Sequence, residues 1–531
     1  MKNIVLAKIA RFATIIVVTS WLFGCASLPP LDKRLPSTYL SDTAGTRLGQ
    51  GVAAAGAAYA GKTGIYPLQV PLDAYAARVV LIRAAERTLD LQYYIWHGDT
   101  SGYLILDEVW QAAQRGVRVR MLLDDNGIGI PDAELAALDA HPNIEIRLFN
   151  PFLQRGFKTL GYLVDFARLN HRMHNKSLTA DAQATIVGGR NIGDEYLGAN
   201  PQMAFSDLDV VALGTAAREV SVEFDVYWNS QHAYPVASIV GEPGPDAALA
   251  LDAKLAAHRT SAEAKKFGEA VLRTDFVDRL MERRLDVEWV PARVLYDPPE
   301  KAAGGDIEES SLLLHQMARH LGSPQSTYDL VSPYFVPGAA GTEALARDAR
   351  RGVKLRIVTN SLAANDMASV HSGYAKRRTA LLEAGVRLYE LKPDAAMPTT
   401  PGTATATKPD SSKTAGSGMG SSSIALHAKT MVVDRSRVFI GSFNTDQRSY
   451  KLNTEMGLVI ESAKLGNAIA QMLDQRAELA AYEVRLAGDG SLEWIETTDD
   501  GVVRHSNEPK ASLGKRIGVG LLSLLPIEWL L

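Results

Sequence analysis

The chain has 531 residues, of which 46% are hydrophobic, and its formal net charge is −4. This length and composition are ample for two domains of ordinary size. A dedicated nucleic-acid binder would usually be basic or carry a basic stripe, so the charge argues against nucleic acid as a partner. The single cysteine, Cys25, excludes an intrachain disulfide.

The first residues have the layout of a secretory signal. An apolar run from Phe12 to Phe23, too short to span a bilayer, follows three cations: Lys2, Lys8 and Arg11. Cys25 then resembles the lipidated cysteine of a bacterial lipobox, and Ala26 resembles the next residue of lipoproteins sorted to the outer membrane. We expect a signal peptide over 1–24 and a lipid anchor at Cys25 in the cell envelope, at the outer membrane facing the periplasm. An uncleaved anchor or a chance cysteine is the alternative.

Beyond the signal, the two halves of the chain repeat the same order of elements. Arg115 to Leu123 parallels Arg351 to Val358, each a helix end with a Gly stop that runs into an apolar strand. Strands alternating with helices predict an α/β fold with a mostly parallel sheet in each half. The predicted tether, first half, connecting segment and second half cover 25–65, 66–235, 236–305 and 306–485.

A run that mixes basic and aromatic side chains precedes the centre of the first half. Its members are Arg155, Lys158, Arg168, His171 and Arg172 with Phe152, Phe157, Tyr162 and Phe166. Such a run can contact lipid headgroups and acyl chains at the mouth of a pocket. A solvated loop with core aromatics is the equally weighted alternative.

Each half contains one copy of the pattern HxKxxxxD. The copies begin at His174 and His427 and continue with Lys176 and Asp181 and with Lys429 and Asp434. Gly188-Gly189-Arg190-Asn191 and Gly441-Ser442-Phe443-Asn444 follow at identical offsets, 14 to 17 residues after each His. Two copies with matched followers are an improbable accident, so the pattern indicates one active site made of two half-sites.

These residue types suit a phosphodiester. A strand has period two, so the His and Lys of each copy point the same way, and two hairpins meeting face to face would gather both pairs. The phosphate oxygens would accept hydrogen bonds from Lys176, Lys429, Asn191 and Asn444. One neutral imidazole can attack phosphorus while the other, protonated, serves the leaving alcohol, and no metal or cofactor is needed.

The acidic residues have separate expected roles. Asp181 and Asp434 belong to the motif, but their distance of seven residues from the His favours fixing the turn and the lysines over proton chemistry. Glu455, 28 residues after His427, is the better candidate to orient an imidazole. Alignment of the halves makes Asp209 its counterpart and matches Asp207 with Asn453, although the spacing differs.

The doubled pattern resembles the paired HKD motifs of the phospholipase D superfamily, and the wider chain resembles its cardiolipin synthase branch, particularly the bacterial C type. Segments that carry this resemblance are Asp90 to Trp96, Leu122 to Asn126, Arg172 to Ser177, Gly188 to Asp194, Thr359 to Ser361, His371 to Tyr374 and Leu524 to Leu531. It implies two α/β sandwich halves related by pseudo-twofold symmetry, with the active site at their interface. It also implies that both His-Lys-Asp sets are catalytic.

The function that this resemblance implies is phosphatidyl transfer of the cardiolipin synthase type. A phosphatidyl group would pass to a histidine, then to phosphatidylglycerol, with His174 as nucleophile and His427 as general acid. The donor would be phosphatidylglycerol or phosphatidylethanolamine, taken at a membrane surface. The alternative is a hydrolytic phospholipase D that releases phosphatidic acid, which an outer-membrane address favours, and a non-catalytic lipid-binding protein is a third possibility.

Two segments of the second half stand apart from the repeat. Residues 393–423, dominated by Pro, Thr, Ser, Gly and Ala, cannot bury a core and are expected to be a disordered surface insertion, with a mobile lid as the alternative. The tail over 486–531 ends in an apolar segment, 517–531, that is too short to span a bilayer. It suits a membrane interface or docking on the protein core.

Overall fold

The computed structural model describes residues 27–32, 34–200, 203–305, 307–365, 367–393, 423–525 and 528. The expected signal peptide, the lipid anchor at Cys25 and nearly all of the insertion at 393–423 lie outside the described residues.

The first half and the segment that follows it contain ten strands and twelve helices among the described residues. The strands are β1 (Thr63–Leu68), β2 (Thr88–Trp96), β3 (Arg118–Ile128), β4 (Ile144–Phe149), β5 (Ser177–Ala180), β6 (Ala184–Gly188), β7 (Met203–Ser206), β8 (Asp209–Gly214), β9 (Ala233–Pro235) and β10 (Glu288–Val290). The helices are α1 (Arg47–Gly56), α2 (Pro71–Ala84), α3 (Thr100–Gln114), α4 (Asp132–Asp139), α5 (Lys158–Val164), α6 (Phe166–Leu169), α7 (Asp194–Leu197), α8 (Thr215–Trp228), α9 (Val236–Val240), α10 (Ala247–Thr260), α11 (Ala262–Leu272) and α12 (Asp275–Met281).

The second half has the same kinds of element. Its strands are β11 (Ala292–Tyr296), β12 (Thr327–Val331), β13 (Lys354–Asn360), β14 (Arg387–Leu391), β15 (Ser423–Leu426), β16 (Thr430–Val433), β17 (Arg437–Gly441), β18 (Met456–Glu461), β19 (Ala481–Leu486), β20 (Leu492–Thr498) and β21 (Gly501–His505). Its helices are α13 (Leu313–Leu321), α14 (Gly338–Arg350), α15 (Ala368–Ala375), α16 (Arg378–Glu383), α17 (Gln447–Lys451), α18 (Ala463–Ala480) and α19 (Leu513–Ser523), with 3₁₀ turns at Pro299–Ala303 and Glu309–Ser311.

The two main sheets have matching strand orders, β10-β1-β8-β6-β5-β2-β3-β4-β9 and β11-β18-β17-β16-β12-β13-β14-β19-β20-β21. The strands from β1 to β9 of the first order correspond one to one with those from β11 to β19 of the second. In each sheet only the β2-β3-β4 or β12-β13-β14 strands run parallel. The predicted mostly parallel sheets are therefore wrong, because the motif strands β5 and β16 return through tight hairpins, which force antiparallel neighbours.

A shared apolar core joins the two halves. Val187 and Val210 of the first sheet and Ile440 and Leu458 of the second belong to one buried cluster. Helices α8 and α18, which follow β8 and β18, pack into the same cluster through side chains such as Val220. This core holds the two motif hairpins against each other, as a pseudo-twofold pair requires.

The segment between the halves is not a separate connection. Leu255 of α10 and Phe267 of α11 belong to the core of the first half, and β10 pairs with β1 while β11 pairs with β18. The expected boundaries at 236 and 305 are thus too wide, since apolar side chains within 236–290 are buried in the first half.

The segment expected to be a tether is docked on the first half. The Arg34 guanidinium donates to the carbonyl oxygens of Asn229, at 2.8 Å, and Ala233, at 3.0 Å, and the α1 helix begins at the Thr46 cap. Alanine and glycine content alone suggested flexibility, but these contacts anchor the chain from residue 34 onward.

The C-terminal tail also docks, on the second half. Strands β20 and β21 extend the second sheet, and α19 lies against α15, with the Lys515 ammonium 2.8 Å from the Asn365 carbonyl oxygen. Ile517 and Leu521 nevertheless stay exposed, so the docked segment keeps an apolar outer side. Among the described residues no helix has both the length and the apolar character needed to cross a bilayer.

Candidate active site

The two motif histidines each leave their own half and contact the other. The His174 amide donates to the Thr454 carbonyl oxygen at 2.9 Å, and the His427 amide donates to the Ser206 carbonyl oxygen at 2.8 Å. A two-stranded sheet of β7 and β15, one strand from each half, supports the second crossing. The crossing places both histidines at the interface that the sequence predicted.

Each imidazole is hydrogen-bonded to a carboxylate from the opposite half. His174 Nδ1 lies 2.8 Å from Glu455 Oε2, and His427 Nδ1 lies 2.6 Å from Asp207 Oδ2. A carboxylate on Nδ1 sets the ring orientation and leaves Nε2 for chemistry. Neither half can assemble a complete imidazole–carboxylate pair without the other.

The expectation that Asp209 orients a histidine is wrong. The register pairs Gly188 with Asp209 and Gly441 with Gly457, so the true counterpart of Asp209 is Gly457 and that of Asp207 is Glu455. Asp209 is instead buried beside two guanidinium groups, with Arg78 at 2.9 Å and Arg190 at 3.5 Å. Asp207 and Glu455 stand 33 and 28 residues after their histidines, so an alignment without gaps matched the wrong pair.

Glu455 is supported by two hydroxyl groups that the sequence did not reveal. Ser442 Oγ donates to Oε2 of Glu455, and Ser449 Oγ donates to Oε1 at 2.8 Å. Gly189 occupies the position of Ser442 in the first copy, where a Cβ would lie 2.1 Å from Asp207 Oδ1. The one available signal was the Gly189-to-Ser442 difference inside otherwise matched tetrapeptides.

The carboxylates differ in charge state. Burial raises the pKa of Glu455 to about 7, against the pull of Lys176 and the serine hydroxyls. Burial would also raise the pKa of Asp207, but the charges of His427 and Lys429 and the hydrogen bond from His427 outweigh it and hold that pKa well below its usual range. The Asp207 carboxylate is thus firmly ionised at neutral pH, and that of Glu455 is not.

The four nitrogen bases of the two motifs are short of negative charge. Burial, reinforced by the nearby lysines, lowers the pKa of His174 well below its usual value and that of His427 to about 4. Burial also lowers the pKa of Lys176 far below its usual range and that of Lys429 to about 8. An anion bound among them would offset these shifts, because it stabilises every protonated form.

Each lysine is oriented by its own motif. The Lys176 ammonium donates to the His174 carbonyl oxygen, and the Lys429 ammonium donates to the His427 carbonyl oxygen while lying 3.2 Å from His427 Nδ1. The i and i+2 positions do put His and Lys on the same side, as the strand period predicted.

The motif aspartates lie at the far end of the hairpins. Asp181 accepts hydrogen bonds from the amides of Arg87, at 2.8 Å, and Thr88, at 2.9 Å. Asp434 accepts from the Ser326 amide at 2.8 Å, and both have φ of 51°. They fix the turns as expected, but strands β5 and β16 separate them from the lysines, so neither the catalytic role nor the expected support of the lysines fits.

The two asparagines differ in what they present. Asn191 Oδ1 accepts from the Ile95 amide at 3.2 Å, which leaves its buried Nδ2 donor without a partner among the described residues. Asn444 is also buried, but there the unpartnered atom is Oδ1. Asn191 has the free donor expected for phosphate binding, whereas Asn444 would have to exchange its amide oxygen and nitrogen by rotation.

Among the described residues, one group of side chains could hold a metal ion: His97, Asp99 and Glu195. These side chains are already paired, with His97 Nδ1 3.1 Å from Glu195 Oε1. The group borders the site, since the His97 amide donates to the Ile192 carbonyl oxygen next to Asn191.

Comparison with known proteins agrees with this geometry. A family model described as cardiolipin synthase, PLD-like domain, matches residues 79–228 and again 317–477. Cardiolipin synthase C of Escherichia coli (strain K12) is 44% identical over 472 residues, which cover 89% of this chain and 97% of that protein. This chain belongs to the cardiolipin synthase branch of the phospholipase D superfamily. It is an enzyme of the phosphatidyltransferase class.

More distant relatives agree. Cardiolipin synthase 2 of Staphylococcus epidermidis is 24% identical over 397 residues, 73% of this chain and 63% of that protein. The crystal structure of phosphatidylserine synthase from Haemophilus influenzae matches with a TM-score of 0.51 at 14% identity and covers 90% of this chain and 100% of that one. The doubled family match confirms the predicted pair of homologous α/β halves.

Proposed function

We propose that this protein makes cardiolipin by transferring a phosphatidyl group to phosphatidylglycerol through a phosphohistidine at His174. The observation that carries the proposal is the crossed pair of imidazole–carboxylate contacts, each beside a buried lysine. Two oriented imidazoles with cations between them are what a two-step displacement at phosphorus requires. The names of the relatives supply the lipid class.

In the first step, the lone pair on His174 Nε2 attacks phosphorus and the bond to the leaving alcohol breaks. The burial that lowers the pKa of His174 keeps this imidazole neutral. His427, protonated beside the ionised Asp207, gives its proton to the leaving oxygen. Lys176, Lys429 and the Asn191 amide stabilise the negative oxygens. The leaving alcohol is glycerol or ethanolamine, according to the donor lipid.

In the second step the roles reverse. His427, now neutral, takes the proton from the glycerol hydroxyl of an incoming phosphatidylglycerol, whose oxygen attacks phosphorus. The bond to His174 breaks, and the imidazole returns to its neutral state with cardiolipin as product. Water in place of the lipid alcohol would release phosphatidic acid instead.

Product analysis tests this function. Purified protein is incubated with vesicles of phosphatidylglycerol, with and without phosphatidylethanolamine, and the lipids are identified by mass spectrometry. Cardiolipin is the expected product, and labelled ethanolamine headgroup released in step with it would identify the donor. Phosphatidic acid as the sole product would replace the transferase with a hydrolase, and no turnover would leave a lipid binder.

The cellular address is a second part of the proposal. We infer that Cys25 is lipidated after cleavage of residues 1–24 and that the enzyme works on periplasmic lipid at the outer membrane, because the sequence around Cys25 has the layout of a lipoprotein signal. Metabolic labelling with a radioactive fatty acid should mark the wild-type chain and not Cys25→Ser. Label that persists in the variant rules out this anchor.

A further inference from the structure

The segment just before the first motif turns apolar side chains toward solvent. Five large apolar residues within ten positions are exposed, with Leu163 at 81% and Phe157 at 73%, and we call them the 157–166 patch: Phe157, Leu160, Leu163, Val164 and Phe166. They lie on or next to the short helices α5 and α6. A contiguous exposed patch of this kind marks an interaction surface.

The charged side chains of the same segment point inward. The Lys158 ammonium lies 2.9 Å from Asp125 Oδ1, and the Arg155 guanidinium pairs with Asp125 and Asp132. Asp125 is fully buried. Ion pairs therefore fasten the polar side of the segment to the protein, and its apolar side is the one presented.

The patch is joined to the catalytic centre by a short chain of contacts. Tyr162, within the segment, donates to Asn126 Oδ1 at 2.8 Å, and Asn126 Nδ2 donates to the Tyr94 hydroxyl at 3.2 Å. The Tyr94 ring meets the His174 imidazole edge-on, with centroids 5.0 Å apart. The patch thus lies on the same side of the molecule as the approach to His174.

We propose that the 157–166 patch inserts into the acyl region of a phospholipid bilayer and holds the approach to His174 against the lipid surface. The occupant rests on the proposed function, because a phosphatidyl donor resides in that bilayer and must reach His174 from it. Lys158 and Arg168, partly exposed at the base of the patch, would lie at the depth of anionic phosphates, where such side chains are stabilised.

Depth-dependent fluorescence quenching tests the insertion directly in the full chain. Leu163→Trp is reconstituted in phosphatidylglycerol and phosphatidylethanolamine vesicles with brominated acyl chains, and its added emission is compared with that of the wild type. The matched control is Leu249→Trp, on α10, where the native leucine is 73% exposed. We expect quenching of the new indole at 163 and not at 249; equal quenching at both, or at neither, overturns the proposal.

A kinetic arm separates docking from chemistry. Leu163→Ser with Val164→Ser should lower turnover of vesicle lipid roughly tenfold, whereas Leu249→Ser with Leu272→Ser should not. Turnover of dihexanoyl phosphatidylglycerol below its critical micelle concentration should be the same in all of them. Full vesicle activity in the first variant overturns the proposal.

Two other results are distinguishable from these. If no variant, wild type included, turns over the soluble lipid while the quenching contrast holds, the proposed function fails and the docking surface stands. If light scattering shows a dimer that Leu163→Ser dissolves and no quenching is seen, a second copy covers the patch and the bilayer proposal is wrong.

Discussion

The two half-sites have the same plan but different supports. Glu455, paired with His174, accepts two serine hydroxyls and has a raised pKa, whereas Asp207, paired with His427, sits beside Gly189 and has a lowered pKa. A firmly ionised carboxylate stabilises an imidazolium better than a partly protonated one. The comparison therefore favours His427 as the proton carrier and His174 as the nucleophile, although the two motifs are identical as patterns.

The surroundings behind the motifs differ as well. Behind His174, Asn175 donates to the buried Glu223 at 2.8 Å and accepts from Thr454 Oγ1 at 3.1 Å. Behind His427 the corresponding residue is Ala428, which lines a mostly apolar cavity with Leu426 and Leu473. A polar network holds one half-site and an apolar space adjoins the other, so repetition of a motif does not imply equal function.

The largest expected effects come from the histidines themselves. His174→Ala should lose about 10⁴-fold or more in kcat with any leaving group, because no nucleophile remains. His427→Ala should lose about 10²- to 10⁴-fold with a glycerol leaving group and recover most of it with phosphatidyl-p-nitrophenol, which needs no proton. Steady-state rates on both substrates measure this, and recovery by His174→Ala instead would exchange the two roles.

The carboxylates should follow in size. Asp207→Asn is expected to lower kcat about 100-fold and Glu455→Gln about 10-fold, because the first removes an ionised partner and the second a partly neutral one. Asp209→Asn serves as the control: it should lower the thermal midpoint by weakening the pairs with Arg78 and Arg190, with kcat of the folded enzyme close to normal. Equal losses for Asp207→Asn and Glu455→Gln would remove the distinction between the half-sites.

A smaller effect concerns pH. Lys429, with a pKa of about 8 in the folded protein, is charged below that pH and neutral above it. The kcat/KM for vesicle lipid should therefore fall as pH rises through about 8. In Lys429→Arg the fall should move upward by at least about one pH unit, since a guanidinium keeps its charge. A profile that does not move in this variant assigns the fall to another group.

The smallest effect is expected at Glu223. Burial raises its pKa to about 8 from a usual 4.5, so the folded state binds a proton that the unfolded state has lost between those values, and wild-type stability falls as pH rises through that window. Glu223→Gln, a near-isostere of the protonated acid, should keep activity within about twofold at pH 7 and gain thermal midpoint relative to wild type from pH 5 to 8. Parallel melting curves at several pH values check this; a constant difference would contradict it.

Much of the site could be predicted from local patterns. The doubled His and Lys, the hairpin turns at Asp181 and Asp434 and the Gly and Asn followers depend on residues close together along the chain, and the structure places them accordingly. The orienting carboxylates were harder, because each acts across the interface on the histidine of the other half. No spacing within one half reports that contact, and a difference of five residues in loop length was enough to turn Asp207 into Asp209.

The docked ends of the chain were missed for a related reason. Alanine- and glycine-rich stretches suggest flexibility, but the Arg34 contacts with Asn229 and Ala233 reach across nearly 200 residues of sequence. The mostly parallel sheet failed because strand direction depends on which elements become neighbours, and the alternation of helices and strands does not specify the partners.

The sequence by itself determined the chemistry, since two histidines, two lysines and their spacing are local facts, and strand period alone puts each pair on one side. Only the tertiary structure decided how the two copies divide the work. A side chain's pKa depends on burial and on charges within a few ångströms, whatever their distance along the chain. The exchange of Glu455 and Asp207 across the pseudo-twofold interface makes one repeated motif into two different half-sites.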